Sequence, residues 1–325
     1  MEFEPVIDFL ARTGKLIITA HETPDGDAIG SEIAMLHAMR RIGKTVRVMN
    51  ADPTPRKFRF LGTDKDIEVL GSEEQLPKDI AEYALLLLDV NDIHNIGQVS
   101  TMILPRVREH FIIDHHENDD DIQSGNFIQK SSSSTAEILF QLFGALAIDL
   151  DFPTAQALFT GIVYDTGSFI YPKTTALTFA IARDLVERGV QPNRIYSHIY
   201  ESNSISALVL QAKVLATLEL ALDDHVAIIT MDKKLLEDSK ASYEESDQFI
   251  NIPLRSEEVR VSIFFKQNLE GLIRCSMRSK GDINVAEIAQ IFGGGGHKTA
   301  AGFKCRDSVA KTKEILLQKL KVCFS

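Results

Sequence analysis

A chain of 325 residues is long enough for two domains, each with its own core. The formal net charge of −11 is unevenly spread, because residues 1–220 hold 31 acidic and 19 basic residues whereas residues 221–325 are nearly neutral. The acidic part argues against a clamp for long duplex nucleic acid and suits a site that concentrates divalent metal. Three cysteines without CxxC spacing exclude a disulfide framework and a thiolate zinc site. The chain shows no targeting segment or membrane-spanning apolar run, so we expect a soluble, cytoplasmic protein with no membrane partner.

The first predicted strand, residues 15–20, runs into a turn that carries three polar residues, His21, Asp25 and Asp27. Apolar residues at helical spacing follow from Asp27 onward, so the turn joins a strand to a helix. Asp27 as a helix cap and Asp25 as a turn residue would explain two of the three polar residues. Those two roles leave His21 unexplained. A strand-to-helix turn also allows the three side chains to converge on one point, as the ligands of a bound ion would.

Two later strands of the predicted sheet also end in polar residues. The apolar run 84–88 is followed by Asp89, and the run 111–113 is followed by Asp114-His115-His116. Polar residues just past the carboxyl ends of parallel strands lie where open α/β sheets bind their ligands. A buried histidine bonded to a neighbouring aspartate is also common in protein cores, so this triplet alone does not decide between a structural and a metal-binding role. Further strands are predicted at residues 45–49 and 67–70.

The next part of the chain is helical. Ser134 and Glu137 fit a capping box at the start of a helix. A second helix ends at Asp165, where the helix dipole does not favour a carboxylate, so a nearby cation would account for that residue. Predicted helices cover residues 138–146, 154–164, 174–189 and 194–219. We place the domain boundary near residue 220.

The C-terminal part begins a new set of strands and contains a run of four glycines. Strands are predicted at 226–231, 259–266 and 272–278, and helices at 243–250, 285–292 and 309–322. The run Gly293, Gly294, Gly295 and Gly296 is followed by His297 and Lys298. Glycine runs are often flexible turns, but consecutive glycines also let backbone N–H groups approach an anion. With Arg278 and Ser279 on a nearby strand end, we predict phosphate or ribose binding.

Six strand-end and helix-end residues form one hypothetical site. They are His21, Asp25, Asp27, Asp89, His115 and Asp165. Carboxylates and imidazoles in this ratio suit Mn²⁺ or Mg²⁺ and are too rich in carboxylate for a structural zinc site. Four carboxylates in one cleft repel one another, and two divalent ions would balance them. Two ions bridged by Asp89 would activate a water and stabilise both oxygens of a phosphoryl transfer.

These motifs, in this order and spacing, resemble the DHH phosphoesterases. The resemblance rests on residues 21–28, Asp89, Asp114-His115-His116 and residues 165–169, and on residues 276–279 and 293–303 of a DHH-associated C-terminal domain. It implies an α/β fold with a parallel-sheet DHH domain and flanking helices over residues 1–200. It also implies a helical linker over 201–220 and a smaller α/β substrate-binding domain over 221–325. The length and the C-terminal motif are similar to the bacterial nano-RNase and pAp phosphatase branch.

The resemblance also implies the roles of single residues. One metal would be held by His21, Asp25 and Asp89, and the other by Asp27, Asp89, His115 and Asp165, both ions being Mn²⁺ or Mg²⁺. His116 would contact the scissile phosphate or protonate the leaving oxygen. The remainder of the nucleotide would be held by Arg278, Ser279, the glycine run 293–296, His297 and Lys298.

The implied substrates are short single-stranded oligonucleotides, cleaved to mononucleotides, and 3′-phosphoadenosine 5′-phosphate (pAp), converted to AMP. One departure concerns the substrate: His94-Asn95 stands where the family usually has an acidic-basic pair before Leu-Gly. Alternative enzymatic hypotheses are a cyclic or linear dinucleotide phosphodiesterase and a polyphosphate or pyrophosphate hydrolase. A nucleotide-binding module without turnover is the alternative from another class, and the sequence leaves a homodimer open.

Overall fold

The computed structural model describes residues 3–116 and 126–324, without the side chain of His297. The chain divides into two compact units, Met1–Ser202 and Asn203–Ser325. The α/β fold class predicted from the sequence is confirmed, because each unit is a sheet with helices packed on it. Within the described ranges, every helix is too short or too polar to span a bilayer.

The first unit is built on a six-stranded sheet in which each neighbouring pair is parallel. Its strands are β1 (Lys15–Thr19), β2 (Thr45–Asn50), β3 (Ile67–Val69), β4 (Ala84–Leu88), β5 (Glu109–Asp114) and β6 (Asn126–Ile128). Its helices are α1 (Glu4–Arg12), α2 (Gly26–Arg41), α3 (Thr63–Asp66), α4 (Val99–Met102), α5 (Thr135–Ala145), α6 (Phe152–Asp165), α7 (Ala176–Glu187) and α8 (Pro192–Tyr200).

The strand order of this sheet is β3-β2-β1-β4-β5-β6, so the winding reverses between β1 and β4. Ligands of open α/β sheets bind outside the carboxyl ends of the strands at such a reversal. The strands are apolar on both faces: Leu16 and Ile18 of β1 belong to the core under α2 and α6, whereas Ile17 faces a second core with Leu85. The strand ends are therefore fixed from both sides.

Helices α2 and α6 cross in unusually close contact. A Cβ atom on Gly30 would lie 2.6 Å from the backbone oxygen of Ala157, and a Cβ atom on Gly161 would lie 2.6 Å from Oδ1 of Asp27. Only glycine fits at both positions without displacing its neighbours. This crossing brings the first turn of α2, with Asp27, beside the last turn of α6, which ends at Asp165.

The second unit contains a six-stranded mixed sheet of order β11-β12-β10-β9-β8-β7, antiparallel except for the pair β8–β9. Its strands are β7 (Glu219–Ala221), β8 (Val226–Met231), β9 (Val261–Gln267), β10 (Ile273–Ser279), β11 (Gly295–His297) and β12 (Ala300–Lys304). Its helices are α9 (Ile205–Leu215), α10 (Lys233–Ser239), α11 (Val285–Ile291) and α12 (Val309–Lys321).

Two parts of the chain differ from the helices predicted from the sequence. The segment predicted as one helix over 194–219 divides into α8 and α9, because Ser204 accepts a hydrogen bond from the Ala207 N–H and starts a new helix. The segment expected as a linker thus contains α9, whose Leu210 and Val214 lie in the core of the second unit. The helix predicted near 243–250 is instead a pair of 3₁₀ turns at Glu244–Ser246 and Phe249–Asn251.

Candidate metal centre

The six predicted ligands come together in the first unit, at the carboxyl ends of β1, β4 and β5, the start of α2 and the end of α6. Asp89 and His115 follow β4 and β5 directly, and His21 lies two residues after the end of β1. Asp25 is the N-cap of α2, its side chain accepting hydrogen bonds from the N–H groups of Asp27 and Ala28. The helix cap is thus made by Asp25 and not by Asp27, the residue considered for it as the alternative interpretation of the sequence.

The predicted ligands form two groups. In the first group, Nε2 of His21 lies 3.8 Å from Oδ2 of Asp89 and 4.0 Å from Oδ1 of Asp25. In the second group, Nε2 of His115 lies 3.3 Å from Oδ2 of Asp165, 3.5 Å from Oδ1 of Asp89 and 3.8 Å from Oδ2 of Asp27. Asp89 therefore directs one carboxylate oxygen toward each group.

These separations fit divalent metal ions. The candidate ligand atoms of the group His21, Asp25 and Asp89 all lie within 4.8 Å of one another, and so do those of the group Asp27, His115 and Asp165. Separations of 3.3–4.0 Å are too long for strong hydrogen bonds. Ligands placed about 2.1 Å from one shared ion are spaced at about 3–4 Å. Oxygen and imidazole donors at this spacing match Mn²⁺ or Mg²⁺.

The N-terminus of α5 orients two of the carboxylates, a role that we did not predict from the sequence. The N–H groups of Thr135 and Ala136 donate to the two oxygens of Asp27, at 2.6 and 3.0 Å. The Thr135 hydroxyl donates to Oδ1 of Asp89 at 3.0 Å. A helix N-terminus favours a negative charge and supplies N–H donors to it. Thr135 therefore positions both Asp27 and Asp89.

The capping arrangement before α5 differs in detail from the predicted capping box. Ser134 is the N-cap and accepts from the Glu137 N–H, as expected. The Glu137 carboxylate instead accepts from the N–H and hydroxyl of Ser133 and from the hydroxyl of Thr178 in α7. Glu137 is 1% exposed, so this buried network fixes the helix end that holds Asp27.

Burial and crowding of carboxylates make it unfavourable for all of them to be ionised when no cation is bound. Burial, and then repulsion from Asp25, raises the pKa of Asp27 to about 7 despite the N–H donors of α5. Burial and repulsion from the neighbouring aspartates likewise hold the pKa values of Asp89 and Asp165 well above the ordinary range. A divalent cation would remove this repulsion, so the electrostatics and the ligand spacing favour the same occupant.

His116 is held by Asp114, the first residue of its triplet. Nδ1 of His116 lies 2.7 Å from Oδ1 of Asp114. Burial opposes the charged imidazolium, but the hydrogen bond to Asp114 and the nearby carboxylates outweigh it and raise the pKa of His116. Burial also opposes ionisation of Asp114, and His116 outweighs that effect, so the pKa of Asp114 is lowered. The pair therefore favours a protonated imidazole hydrogen-bonded to a carboxylate.

An open pocket of about 340 Å³ adjoins the first ligand group. His21, Asp25, Asp89, Asn95 and His116 are among its lining residues. The backbone oxygen of Asn95 accepts a hydrogen bond from the Glu22 N–H at 2.6 Å, which ties the turn after β4 to the turn after β1. His94-Asn95, where this chain differs from the usual family sequence, thus lies beside the candidate metal ligands.

The glycine run of the second unit is half turn and half strand: Gly293 and Gly294 follow α11, and Gly295 and Gly296 belong to β11. The N–H groups of Gly293 and Gly294 donate to the backbone oxygens of Gln290 and Ala289 at the end of α11. A Cβ atom on Gly294 or Gly296 would lie within 2.4 Å of a backbone oxygen of β12. Packing therefore accounts for Gly294 and Gly296. Because alternate N–H groups of an antiparallel edge strand bond to its neighbour, only one of the Gly295 and Gly296 N–H groups faces away from β12 and could donate to an anion.

The other residues expected to bind substrate differ in their surroundings. The Ser279 hydroxyl donates to the Ile283 backbone oxygen, and Lys298 forms an exposed ion pair with Asp282 at 3.4 Å. Half-buried Arg278 donates to the Met277 backbone oxygen. Ala300 pairs with Arg278 on one side and with His297 on the other, so the three residues share one row across the sheet. The predicted role of the His297 side chain falls outside what the structure describes.

Comparison with known proteins agrees with this architecture. Residues 15–162 match the family model described as "DHH family, N-terminal domain", and residues 223–325 match the DHHA1 domain. The chain is 31% identical over 291 residues to the bifunctional oligoribonuclease and PAP phosphatase NrnA of Thermus thermophilus, covering 89% of this chain and 83% of that protein. It is 26% identical to the protein of the same name from Bacillus subtilis, with 88% of each chain covered.

A solved structure is similar over almost the whole chain. An exopolyphosphatase-related protein from Bacteroides fragilis superposes with a TM-score of 0.92 at 28% sequence identity. The match covers 99% of this chain and 97% of that protein. The fold of each unit is thus that of a protein already seen in a crystal.

Proposed function

The chain belongs to the DHH family, and from this premise we propose that it is a metal-dependent phosphoesterase that cleaves very short oligonucleotides to mononucleotides and converts pAp to AMP. The names of the Thermus and Bacillus relatives, oligoribonuclease and PAP phosphatase, support this choice of substrates. The acidic first unit suits short single strands rather than long duplexes. The proposed site of action is the cytoplasm.

The observation that carries this proposal is the position of Asp89 between two ligand groups. Its Oδ2 faces His21 and its Oδ1 faces His115, at 3.8 and 3.5 Å. We assign one divalent ion to His21, Asp25 and Asp89, and a second to Asp27, Asp89, His115 and Asp165, with Mn²⁺ or Mg²⁺ as the metal. When bound, such ions supply a water nucleophile and neutralise charge on the phosphate.

The remaining steps belong to side chains of the protein. Asp114 holds the His116 ring through Nδ1, and His116 lines the pocket beside Asp89. We assign His116 to contact the scissile phosphate and to protonate the leaving oxygen, a role for which a histidine must lie within hydrogen-bond reach of that oxygen. Thr135 keeps Asp27 and Asp89 in place during the reaction.

We assign recognition of the rest of the nucleotide to the second unit. Arg278 provides a cation, and the β11 glycines Gly295 and Gly296 provide the outward-facing backbone N–H of the edge strand. His297 and Lys298 follow directly. We assign Ser279 to position the strand end next to Arg278, since its hydroxyl donates to the Ile283 backbone oxygen. Its direct contact with substrate, expected from the sequence, stays a prediction.

A substrate panel tests the proposal. Purified protein would be incubated with pAp, a diribonucleotide, a pentaribonucleotide, a cyclic dinucleotide and pyrophosphate, in Mn²⁺ and Mg²⁺ in parallel. We expect AMP from pAp, mononucleotides from the linear oligonucleotides, and loss of both activities in EDTA. Hydrolysis confined to the cyclic dinucleotide or to pyrophosphate would replace the substrate assignment. Binding of pAp without turnover would indicate a nucleotide-binding module.

A further inference from the structure

The sheet of the second unit has one face that is covered only in part. On one side, Met277, Phe303 and Leu316 belong to a core formed with α11 and α12. On the other side, α9 and α10 cover β8 and β9, where Phe264 packs against Leu210. The remaining strands on that side leave alternate residues half-buried or exposed. We call these residues the open face: Arg274, Ser276, Arg278, Ala300, Gly302 and Lys304.

One end of the open face carries a row of three cations. Lys266 of β9 pairs with Arg274 of β10, and Arg274 pairs with Lys304 of β12, so the three residues lie side by side across the sheet. Lys266 is neutralised, because its Nζ lies 2.6 Å from Oδ1 of Asp247. Arg274 and Lys304 are exposed, and neither forms an ion pair within the described parts of the chain. Two cations at this end thus lack a carboxylate partner.

The surface between this row and Arg278 is flat. Ser276 pairs with Gly302, and Gly302 pairs with Gly295, so the middle row of the open face contains only small side chains. Arg274 and Arg278 are four residues apart on one strand, which corresponds to about 13 Å. Cations at both ends of a smooth floor match an extended polyanion with phosphates at intervals, whereas a single phosphate can contact only one end.

We propose that Arg274 and Lys304 bind a further backbone phosphate of a single-stranded oligonucleotide whose terminal nucleotide is held near Arg278. This inference rests on the proposed function, which assigns nucleotide binding to the Arg278 end, and it adds a length dependence. A pAp molecule or a dinucleotide is too short to contact both ends of the open face, and an oligonucleotide of four or five residues is long enough. The two cations therefore favour longer substrates over pAp.

A binding experiment separates this inference from the catalytic proposal. Binding of a fluorescent pentaribonucleotide would be measured by anisotropy in EDTA, so that neither metal nor hydrolysis contributes, and unlabelled pAp would be measured by competition. The test variant is the double substitution Arg274→Gln and Lys304→Gln. The matched control is Lys319→Gln with Lys321→Gln, which removes the same charge from α12 on the opposite side of the sheet. Circular dichroism would establish that each variant is folded.

We expect the test variant to bind the pentaribonucleotide about tenfold more weakly, since it loses charge-assisted hydrogen bonds to a phosphate. Its pAp affinity should stay within about twofold of wild type. The slope of log Kd against log salt should fall by about 1.4, the value for two contacts with a single strand. The control should leave all three quantities unchanged.

The inference is overturned if the pentaribonucleotide and pAp weaken equally, if neither weakens, or if the control variant shows the same loss. Should the double variant misfold, Arg274→Gln alone provides the same comparison with about half the change in salt slope. If the wild-type protein hydrolyses neither pAp nor the oligonucleotides, the proposed function is wrong, but the binding result still tests this inference.

Discussion

Asp89 adopts a backbone conformation that is uncommon for a residue with a side chain. Its φ is +58°, in the left-handed region, directly after β4. Asp is among the residue types that tolerate this region best. The turn lets its two carboxylate oxygens face opposite ligand groups, with the Thr135 hydroxyl donating to Oδ1. The local strain is thus located at the residue assigned to bridge two ions.

Substitution of Asp89 tests this role. Asp89→Asn keeps the shape of the side chain and its tolerance of positive φ but removes the charge. We expect hydrolysis of pAp to fall by more than about 100-fold, since losing even the partners of metal ligands costs 10–100-fold. The metal-free melting temperature should be unchanged or higher, because a repelling carboxylate is removed. As a control, Asp64→Asn on exposed α3 should retain activity; full activity of Asp89→Asn would contradict the bridging role.

A second buried acid gives the protein a pH-dependent stability. Glu32 of α2 is 0% exposed, and Asn50 donates to its Oε2 at 2.9 Å. Within the described residues its Oε1 has no hydrogen-bond partner. Burial raises the pKa of Glu32 from 4.5 to about 8, against a smaller opposing effect of Asn50. The folded state therefore retains a proton that the unfolded state releases in this pH range.

The sign of this effect can be measured. Stability contributed by protonated Glu32 is fully present below the unfolded pKa of 4.5 and is lost as pH rises toward the folded pKa of about 8. The loss is at most about 1.4 kcal/mol per pH unit. Glu32→Gln does not titrate, so its stability relative to wild type should increase from pH 5 to 8 in urea denaturation, a window set by these two pKa values. This account would be contradicted if the difference in the free energy of unfolding between Glu32→Gln and wild type did not change with pH. It would also be contradicted if the exposed control Glu74→Gln showed the same increase from pH 5 to 8.

At the residue scale, the sequence predicts which candidate ligands come together in the fold, and it misses the groups that support them. His21, Asp89 and His115 follow apolar strands, a local pattern that can be read directly, and the family resemblance assigns them roles. The hydrogen bonds from Thr135 to Asp27 and Asp89 span 108 and 46 residues, and nothing in the local sequence indicates them. The assignment of each ligand to an ion remains a prediction.

At the scale of elements, the crossing of α2 and α6 sets the geometry of the second ligand group. Gly161→Ala would place a Cβ atom 2.6 Å from Oδ1 of Asp27 and 2.7 Å from Ala136. We expect a loss of about 1–3 kcal/mol in the free energy of unfolding, as for other overpacked cores, together with reduced metal-dependent activity.

Gly144 of α5 is the matched control, because a Cβ atom there meets nothing within 4 Å. Gly144→Ala should stabilise the protein by about 0.5–1 kcal/mol through helix propensity alone and leave activity unchanged. Both variants can be compared by urea denaturation and a pAp assay. If the two alanine variants had the same stability and the same activity, the close contact between α2 and α6 would not be the reason for glycine at residue 161.

The elements were predicted best where apolar runs are short and bounded. β4 matches its predicted run, β5 (Glu109–Asp114) contains its predicted run 111–113, and α6 ends at Asp165 as expected. The continuous helix predicted over 194–219 was wrong because apolar periodicity continues across the break, while the decisive signal is the cap formed by Ser204. The helix predicted near 243–250 forms 3₁₀ turns, whose Phe249 and Ile250 are buried at irregular spacing.

At the scale of the whole molecule, the boundary between the units is a testable quantity. α9 contributes Leu210 and Val214 to the core that contains Ile229 and Phe264 of the second unit. We therefore expect a fragment of residues 203–325 to fold cooperatively. A fragment of residues 221–325 should be less stable by several kcal/mol, because deleting large buried side chains costs about 2–5 kcal/mol each.

Thermal unfolding of the two fragments followed by circular dichroism provides the comparison. Equal melting temperatures would indicate that residues 201–220 act as a linker, as the family resemblance implies. A higher melting temperature for the longer fragment would support a boundary between Ser202 and Asn203, where the two compact units meet in the chain.

The most direct test of the account is anomalous diffraction from a crystal of the protein grown with Mn²⁺. We expect two manganese peaks about 3.5–4 Å apart. Asp89 should lie between them, with His21 and Asp25 at one ion and Asp27, His115 and Asp165 at the other. A single peak, or two peaks of which neither is bound by Asp89, would contradict the proposed two-metal phosphoesterase.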